Sequence, residues 1–306
     1  ELDKFMNSKY FFRGNDYSKL YDQFGTIELS KCICCDSTKI EKWVEFNGFK
    51  ADICKNCGFI FMNPQLSITG LQEFYCNYIG ETRLNNCKKM KQRSFQYKMD
   101  VDILKKFAEN GKILDIGCSG GYFLKEIPNS FEKFGTELDP FAFELAKENL
   151  NINAKNLYLG DVLDCPFSIS SFDVITMRGV IEHVPDPKET IKKVSSLMKS
   201  GALFYICATP NGASFSANLY KKDWHLFHPV EHLWHFSAKN LSLLASHFEL
   251  KLIWSEYPYI GTPYENVNED LSLINKKIEN NKHNNIDDTI SPPFFENMMS
   301  LIFKKL

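Results

Sequence analysis

The chain has 306 residues, of which 44% are hydrophobic and 24% charged, a balance typical of a folded globular protein of one large or two modest domains. The 36 Lys and Arg residues nearly match the 38 Asp and Glu residues, which argues against a nucleic-acid partner because phosphate binding usually leaves a basic footprint. No apolar run approaches the ~20 residues that a membrane-spanning helix needs, and the first ten residues lack the apolar core of a secretory signal. We therefore expect a cytoplasmic protein without a membrane span.

The N-terminal segment, residues 1–65, contains two cysteine pairs. Cys32 and Cys35 form the first pair, Cys54 and Cys57 the second, and 18 residues separate the pairs. This spacing is typical of a zinc ribbon, in which four thiolates complete a tetrahedron and leave no open coordination position, so we expect structural Zn²⁺. A redox pair would need a helix start, and disulfides would conflict with a cytoplasmic location. Cys34 is an alternative to Cys32 with poorer spacing.

Residues 66–110 are predicted to form a helical connector. Ser67 can cap a first helix, a second helical pattern covers residues 84–108, and Asn110-Gly111 ends it. Tyr75, on the first of these helices, and Tyr78 after it are candidates to close over a bound cofactor, although a place in the core is at least as good an interpretation.

From residue 111 to residue 255 the pattern changes to short apolar runs that alternate with helical patterns. This alternation predicts a parallel sheet with helices on both faces, which is a Rossmann-like doubly wound α/β fold. Residues 210–240 interrupt the pattern as an insertion rich in Trp, Phe and His, and residues 250–254 are predicted to form a late strand. The Asn- and Lys-rich residues 256–306 are expected to form a peripheral, partly mobile tail.

A glycine-rich turn at residues 115–121 lies between the first strand and the next helix of this domain. Glycines let the backbone turn sharply and approach a ligand closely. Glu137 follows 20 residues after Gly117, at the end of the second strand, where a carboxylate can accept hydrogen bonds from ribose hydroxyls. The turn differs from the G-x-G-x-x-G sequence that holds a pyrophosphate, and Asp115 would repel phosphate groups. A nucleoside without phosphates is therefore favoured over a dinucleotide.

Over residues 110–255 the sequence resembles the class I S-adenosylmethionine (SAM)-dependent methyltransferases. The turn matches their first motif, with Ser119 where many members have Gly, and residues 160–162, 172–175 and 182–184 match later motifs in the same order. The resemblance implies that the turn contacts the methionine and ribose, that Glu137 holds the ribose and that Asp161 binds the adenine amino group. The expected cofactor-binding residues are Asp115, Gly117, Cys118, Ser119, Gly121, Glu137, Leu138, Asp161, Val162 and Tyr75.

A four-cysteine module ahead of such a domain, with a further α/β C-terminal extension behind it, resembles methyltransferases of nucleotide-linked keto-sugars and of surface-polysaccharide precursors. This resemblance implies a small-molecule acceptor, a nucleotide sugar or a capsule precursor. Residues 224–236 contain four of the seven histidines and are predicted to form a wall of the acceptor pocket. A second metal site among these histidines is disfavoured, because Pro229 breaks helical register and the spacing fits no standard ligand set.

The candidate catalytic residues are His183, His232 and Glu231. His183 follows the fourth strand, at the sheet edge where α/β folds bind ligands, and an imidazole can accept a proton near neutral pH. A structural role for His183 is an equally good interpretation. In the keto-sugar C-methyltransferases that the chain resembles, a Tyr acts in proton transfer two residues before a Glu-His pair, and here Pro229 stands at that place.

This departure favours methylation of a hydroxyl over C-methylation of a keto-sugar, which stays open as an alternative. Another small molecule, including a phosphoramidate, is a further candidate acceptor. RNA or protein methylation, and a non-enzymatic zinc-dependent assembly role with a relic cofactor pocket, are less favoured hypotheses. The sequence does not indicate an oligomeric state.

Overall fold

The computed structural model describes residues 18–76, 87–150, 152–285 and 287–306. In the N-terminal part, the second, third and fourth strands form an antiparallel meander, and the short first and fifth strands pair in a separate two-stranded sheet. The first cysteine pair precedes the second strand, and the second pair begins at the end of the third strand. The elements of this part are α1 (Ser18–Phe24), β1 (Thr26–Ile27), β2 (Ile40–Phe46), β3 (Phe49–Cys54), β4 (Ile60–Met62) and β5 (Gln65–Leu66).

Two helices connect this part to the sheet domain, as expected from the sequence. Helix α2 (Ile68–Cys76) begins at the predicted cap, where the Ser67 hydroxyl accepts the Gly70 N–H at 3.1 Å. Helix α3 spans Cys87–Leu104. Tyr75 belongs to α2 by its backbone, but its side chain lies outside the described part of the structure, as does the whole of Tyr78. Their expected contact with a cofactor therefore stays a prediction.

The sheet domain has seven strands, of which β12 (Leu250–Glu256) and β13 (Met298–Lys305) come last in the chain. Their order across the sheet is β12-β13-β10-β9-β6-β7-β8. Strands β6 to β10 are mutually parallel, and helices pack on both faces, which confirms the predicted doubly wound α/β fold. Helices α3, α4 and α5 contribute to the core on one face, and α6 and α8 to the core on the other. The elements up to β10 are β6 (Gly111–Ile116), α4 (Tyr122–Glu126), β7 (Phe131–Glu137), α5 (Pro140–Asn149), β8 (Leu157–Leu159), β9 (Phe172–Arg178), α6 (Pro187–Leu197) and β10 (Met198–Pro210).

The segment 210–240 does not stand apart as an insertion, because it joins the two parts of the molecule. It contains α7 (Phe215–Tyr220) and the short strand β11 (Trp234–His235), which pairs with β4 and so becomes the fourth strand of the N-terminal sheet. The Trp234 ring stacks on Phe59 with centroids 6.0 Å apart. The cysteine-containing module and the sheet domain therefore share one continuous hydrophobic core.

The expectation of a peripheral tail at 256–306 was wrong. After α8 (Ala238–Ser246), β12 (Leu250–Glu256) and α9 (Val267–Lys282), the chain returns as β13 (Met298–Lys305), which runs antiparallel between β10 and β12. Leu301, Ile302 and Phe303 are fully buried there. A strand that is covered on both faces is an apolar run without alternation, so period-two patterning could not reveal it. No helix in the described part of the chain combines the length and apolarity that crossing a bilayer requires.

Candidate active site

The glycine-rich turn after β6 has a backbone that other residues could adopt only with strain. Gly117 has φ of 70°, and a Cβ at this position would lie 2.8 Å from a methyl carbon of Val180. Ser119 also lies in the left-handed region, with φ of 49°, which explains why the resembling family often has Gly at this place. The backbone N–H groups of Gly117 and Cys118 both donate to the Thr136 carbonyl at 2.9 Å. The turn is therefore fixed against the end of β7.

Asp115, two residues before Gly117, is a buried carboxyl at the end of β6. It is 2% exposed, and its carboxyl accepts a 2.6 Å hydrogen bond from the Thr176 hydroxyl on β9. Burial raises the pKa of Asp115 to about 7, although the Thr176 hydrogen bond and the Arg178 charge act in the opposite direction. Its expected contact with the cofactor stays a prediction.

Glu137, at the end of β7, is held rigidly by three backbone amides. Its Oε2 accepts the Ser119 N–H at 2.7 Å, and its Oε1 accepts the N–H groups of Leu138 at 2.8 Å and Asp139 at 2.9 Å. A carboxylate has about four acceptor positions, so one position on Oε2 is left for a ligand. Burial raises the pKa of Glu137, and the three amides oppose this shift. The carboxylate is therefore pre-oriented beside the turn.

The residues expected around adenine lie on the neighbouring loop after β8. The Gly160 N–H donates to the Glu137 carbonyl at 2.8 Å, which brings this loop against the end of β7. The Asp161 carboxylate caps a short 3-10 helix by accepting the Leu163 N–H at 2.9 Å, and Val162 is buried. The Leu138 side chain is 53% exposed, which leaves an apolar surface on which a planar base could stack. The structure thus brings the predicted cofactor residues other than Tyr75 to one edge of the sheet.

The loop after β9 carries Glu182 and His183 to the same edge. His183 Nδ1 lies 2.7 Å from the Glu231 carbonyl, and His232 Nδ1 lies 2.7 Å from the Leu226 carbonyl. Since a carbonyl can only accept, each Nδ1 carries the proton, and the ring lone pair is on Nε2. The His183 and His232 rings are 4.9 Å apart. Burial and three neighbouring histidines lower the pKa of His232 well below its usual value, so this ring is neutral.

Two ionisable residues at this edge of the sheet, Glu182 and Arg178, are not among the site residues expected from the sequence. Glu182 is 2% exposed, and burial raises its pKa to about 8 against a hydrogen bond from Thr209. Its Oε1 lies 3.9 Å from His183 Nε2. Arg178, at the end of β9, forms a buried 2.8 Å ion pair with Asp100 of α3. The motif around Glu182 can be identified in the sequence. Its proximity to His232 could not be predicted, because about fifty residues separate the two.

A cavity of about 530 Å³ lies at the ends of β9 and β10, and its lining includes neither His183 nor His232. Arg178 and Ala208 lie on its sheet side, while His225 and Leu226 come from the histidine-rich segment. Aromatic side chains from the C-terminal region complete the wall: Tyr257, Tyr259, Phe294 and Phe295. The wall of the acceptor pocket was expected at residues 224–236. The aromatic residues after residue 256 were not predicted to line a cavity, because that region was expected to form a tail.

The four predicted metal-ligating cysteines lie together. The Sγ atoms of Cys32 and Cys57 are 3.5 Å apart, and those of Cys35 and Cys54 are 3.6 Å apart. All four lie within 4.8 Å of one another. A tetrahedral zinc with Zn–S bonds of ~2.3 Å would separate its sulfurs by ~3.8 Å, so these side chains fit Zn²⁺ closely. Cys34 is not part of this group, which favours Cys32 as the ligand.

Hydrogen bonds connect the cysteine module to the loop that carries His183. The Met62 N–H of β4 donates to the Leu233 carbonyl at 2.9 Å, and the Leu233 N–H donates to the Glu182 carbonyl at 2.9 Å. The Trp234 indole N–H donates to the Val184 carbonyl at 2.7 Å. The loop after β9 is therefore hydrogen-bonded to the segment that pairs with β4 of the cysteine module.

Comparison with known proteins decides the family. A sequence model described as a methyltransferase domain matches residues 91–254. The chain belongs to this methyltransferase family. A SAM-dependent methyltransferase from Thermotoga maritima shares the fold of the methyltransferase domain, with a TM-score of 0.51 and 18% identity over 77% of this chain and 99% of that one.

Two curated relatives are both called ubiquinone biosynthesis O-methyltransferase. The protein from Coxiella burnetii is 30% identical over 139 residues, which cover 39% of this chain and 58% of the relative. The protein from Glaesserella parasuis is 36% identical over 104 residues, which cover 31% of this chain and 44% of the relative. The similarity thus spans about half of the length of these relatives.

Proposed function

We propose that this protein transfers a methyl group from SAM to a hydroxyl oxygen of a small-molecule acceptor. The observation that carries the proposal is the position of the loop after β9. Val180 of this loop packs against Gly117 in the cofactor turn, while His183, three residues later, packs against His232 at the acceptor side. The residues expected to hold the cofactor and those able to take a proton therefore meet at one edge of the sheet.

The cofactor side fits SAM. The Gly117–Gly121 turn offers a close backbone approach, Glu137 offers one acceptor position to a ribose hydroxyl, and Leu138 offers an apolar surface to the adenine. When bound, SAM supplies a methyl group on a positively charged sulfur, which leaves as a neutral thioether. Alignment of the acceptor with this methyl group is the main task of the surrounding chain.

The acceptor side must remove a proton from the hydroxyl. His183 is the better placed base, because its Nδ1–H is fixed by the Glu231 carbonyl and its side chain is 21% exposed. His232 has the same tautomer but is 8% exposed. The contact that Glu231 makes with His183 uses its backbone carbonyl, so we assign Glu231 a positioning role for His183 in addition to its expected contact with the acceptor.

We propose a nucleotide sugar or a related surface-polysaccharide precursor as the acceptor. The cavity of about 530 Å³ is lined by several aromatic rings, which suit the apolar face of a sugar ring, and by Arg178. A phenolic hydroxyl is a second candidate, because the same rings suit a planar acceptor and two relatives carry the name of a ubiquinone O-methyltransferase. C-methylation of a keto-sugar is less favoured, since Pro229 stands where a proton-transferring Tyr would be expected.

Transfer of a labelled methyl group from SAM into a panel of nucleotide sugars and phenols, followed by mass spectrometry, tests this proposal. We expect one acceptor class to gain a single methyl group. The His183→Ala variant should then lose about 10²–10⁴-fold in rate if His183 is the base. His247→Ala, which alters an exposed histidine of the same domain, is the matched control. Near-normal turnover of His183→Ala would move the base to His232, and no transfer to any member of the panel would overturn the proposed acceptors.

A further inference from the structure

The loop after β9 and the histidine-rich segment bring together one carboxylate and two imidazoles. One ligand atom from each of Glu182, His183 and His232 lies within 4.8 Å of the others. Glu182 and His183 are adjacent in sequence, whereas His232 comes from a segment about fifty residues later. No ligand spacing in the sequence indicates this group, because the fold alone assembles it.

We propose that Glu182, His183 and His232 bind a divalent transition-metal ion, which is distinct from the ion of the four cysteines. Two imidazoles and one carboxylate are a ligand set that zinc, cobalt and iron accept, and three protein ligands leave coordination positions open for an oxygen ligand. The existence of the site does not depend on the proposed function, but its role in the reaction rests on it.

The hydrogen bonds around the three side chains support this assignment. Metal-binding histidines commonly donate their other ring N–H to a carbonyl or carboxylate, which fixes the tautomer and the direction of the ligating nitrogen. Both histidines meet this condition, because each Nδ1 donates to a backbone carbonyl at 2.7 Å. The lone pair on each Nε2 is thus oriented before any ion arrives. The carboxylate is oriented as well, since its Oε2 accepts the Thr209 hydroxyl at 3.2 Å.

The position of Glu182 also suits a cation. Glu182 is buried, and its Oε1 lies within 4 Å of His183 Nε2. A bound cation would offset the cost of ionising this buried carboxyl group. The separation of 3.9 Å between Glu182 Oε1 and His183 Nε2 exceeds the ~3.4 Å expected between ligands at ~2.1 Å from a tetrahedral ion. Small rotations of these side chains would close the site.

The ion would act on the acceptor rather than on the cofactor. Its open positions would receive the acceptor hydroxyl oxygen, and coordination would lower the pKa of that hydroxyl. The proton would leave to solvent, the new O–C bond would form as the S–C bond breaks, and the electron pair of the broken bond would stay on sulfur. With the ion bound, His183 is a ligand and solvent takes the proton in its place; without the ion, His183 keeps the role of base proposed above.

Metal binding can be measured without acceptor or SAM. The full chain is treated with a mild chelator that leaves the cysteine-bound zinc in place, and Co²⁺ is then added as the probe. We expect one cobalt per chain with the weak visible absorption of nitrogen and oxygen ligands. Cobalt bound by four thiolates would instead show intense sulfur-to-metal absorption in the near ultraviolet.

Variants assign the ion to its ligands. His183→Ala and the isosteric Glu182→Gln should each weaken cobalt binding by at least about tenfold, whereas His247→Ala should bind as the wild type does. Circular dichroism confirms the fold of each variant, and two independent variants guard against loss of structure in one of them. Absence of this cobalt in the wild type, or unchanged binding in both ligand variants, would overturn the site. If methyl transfer proceeds at the same rate without this ion, its role in the reaction is overturned and the proposed function stands.

Discussion

The Glu137→Gln substitution tests how the chain holds the ribose of its cofactor. The wild-type carboxylate accepts three backbone N–H groups, from Ser119, Leu138 and Asp139, and so keeps one of its acceptor positions for a ribose hydroxyl. Glutamine replaces one oxygen with an NH₂ donor, which cannot accept the Ser119 N–H or a hydroxyl proton. Loss of one hydrogen bond to a charged group costs about 1.5–3 kcal/mol, equal to roughly a 10- to 150-fold rise in Kd.

Isothermal titration with SAM and with its demethylated product measures this effect. Both ligands carry the same ribose, so both Kd values should rise by the same factor. Glu132→Gln is the matched control, because Glu132 lies at the start of the same strand and is exposed. Thermal unfolding of each variant separates a binding defect from a folding defect. A Kd within about twofold of the wild-type value would refute the ribose assignment.

Three further predictions concern the elements that support the site. Cys54→Ser should lose the zinc, as measured by elemental analysis. It should also reduce methyl transfer more than SAM affinity, because β4 and β11 hold Glu182 through Leu233. Cys165→Ser, which alters a buried cysteine outside the cluster, should change neither the zinc content nor methyl transfer. Asp100→Ala should lower the free energy of unfolding, measured in urea, by about 3–5 kcal/mol, because it leaves the Arg178 charge buried without its carboxylate. Asp102→Ala, at an exposed position of the same helix, should lower it by at most about 1 kcal/mol. An equally small effect of both substitutions would contradict the ion-pair account. The pKa of Asp115 is raised to about 7, so its protonated form stabilises the fold at low pH, and this contribution should be lost as the pH rises from about 4 to about 7. The free energy of unfolding of the wild type, relative to that of Asp115→Asn, should therefore fall over that range. A difference that does not change with pH would contradict the assignment.

The cofactor half of the site could be predicted because its geometry is local. The turn at 115–121 joins one strand to one helix, and Glu137 ends the neighbouring strand, so sequence order alone places these residues at one sheet edge. The four cysteines were predictable for the same reason, since each pair makes its own turn. Patterns of this kind need no knowledge of long-range packing.

The acceptor half required the fold itself. His183 meets His232 because β11 pairs with β4 and places the preceding residues against the loop after β9. The aromatic wall depends on β13, whose insertion between β10 and β12 fixes where residues 257–295 lie. A buried interior strand and a pairing between segments more than 170 residues apart leave no local signal. The sequence therefore predicted the chemistry of the cofactor and left that of the acceptor open.

Carbon-13 NMR of the product formed from SAM with a labelled methyl group tests the central claim most directly. The wild-type chain and an acceptor from the panel should yield a methyl resonance in the range of a methoxy group, bonded to oxygen. A methyl resonance typical of a carbon-bound group would contradict O-methylation. Retention of the entire label in SAM with every acceptor tested would contradict the account of a methyltransferase that acts on small-molecule hydroxyls.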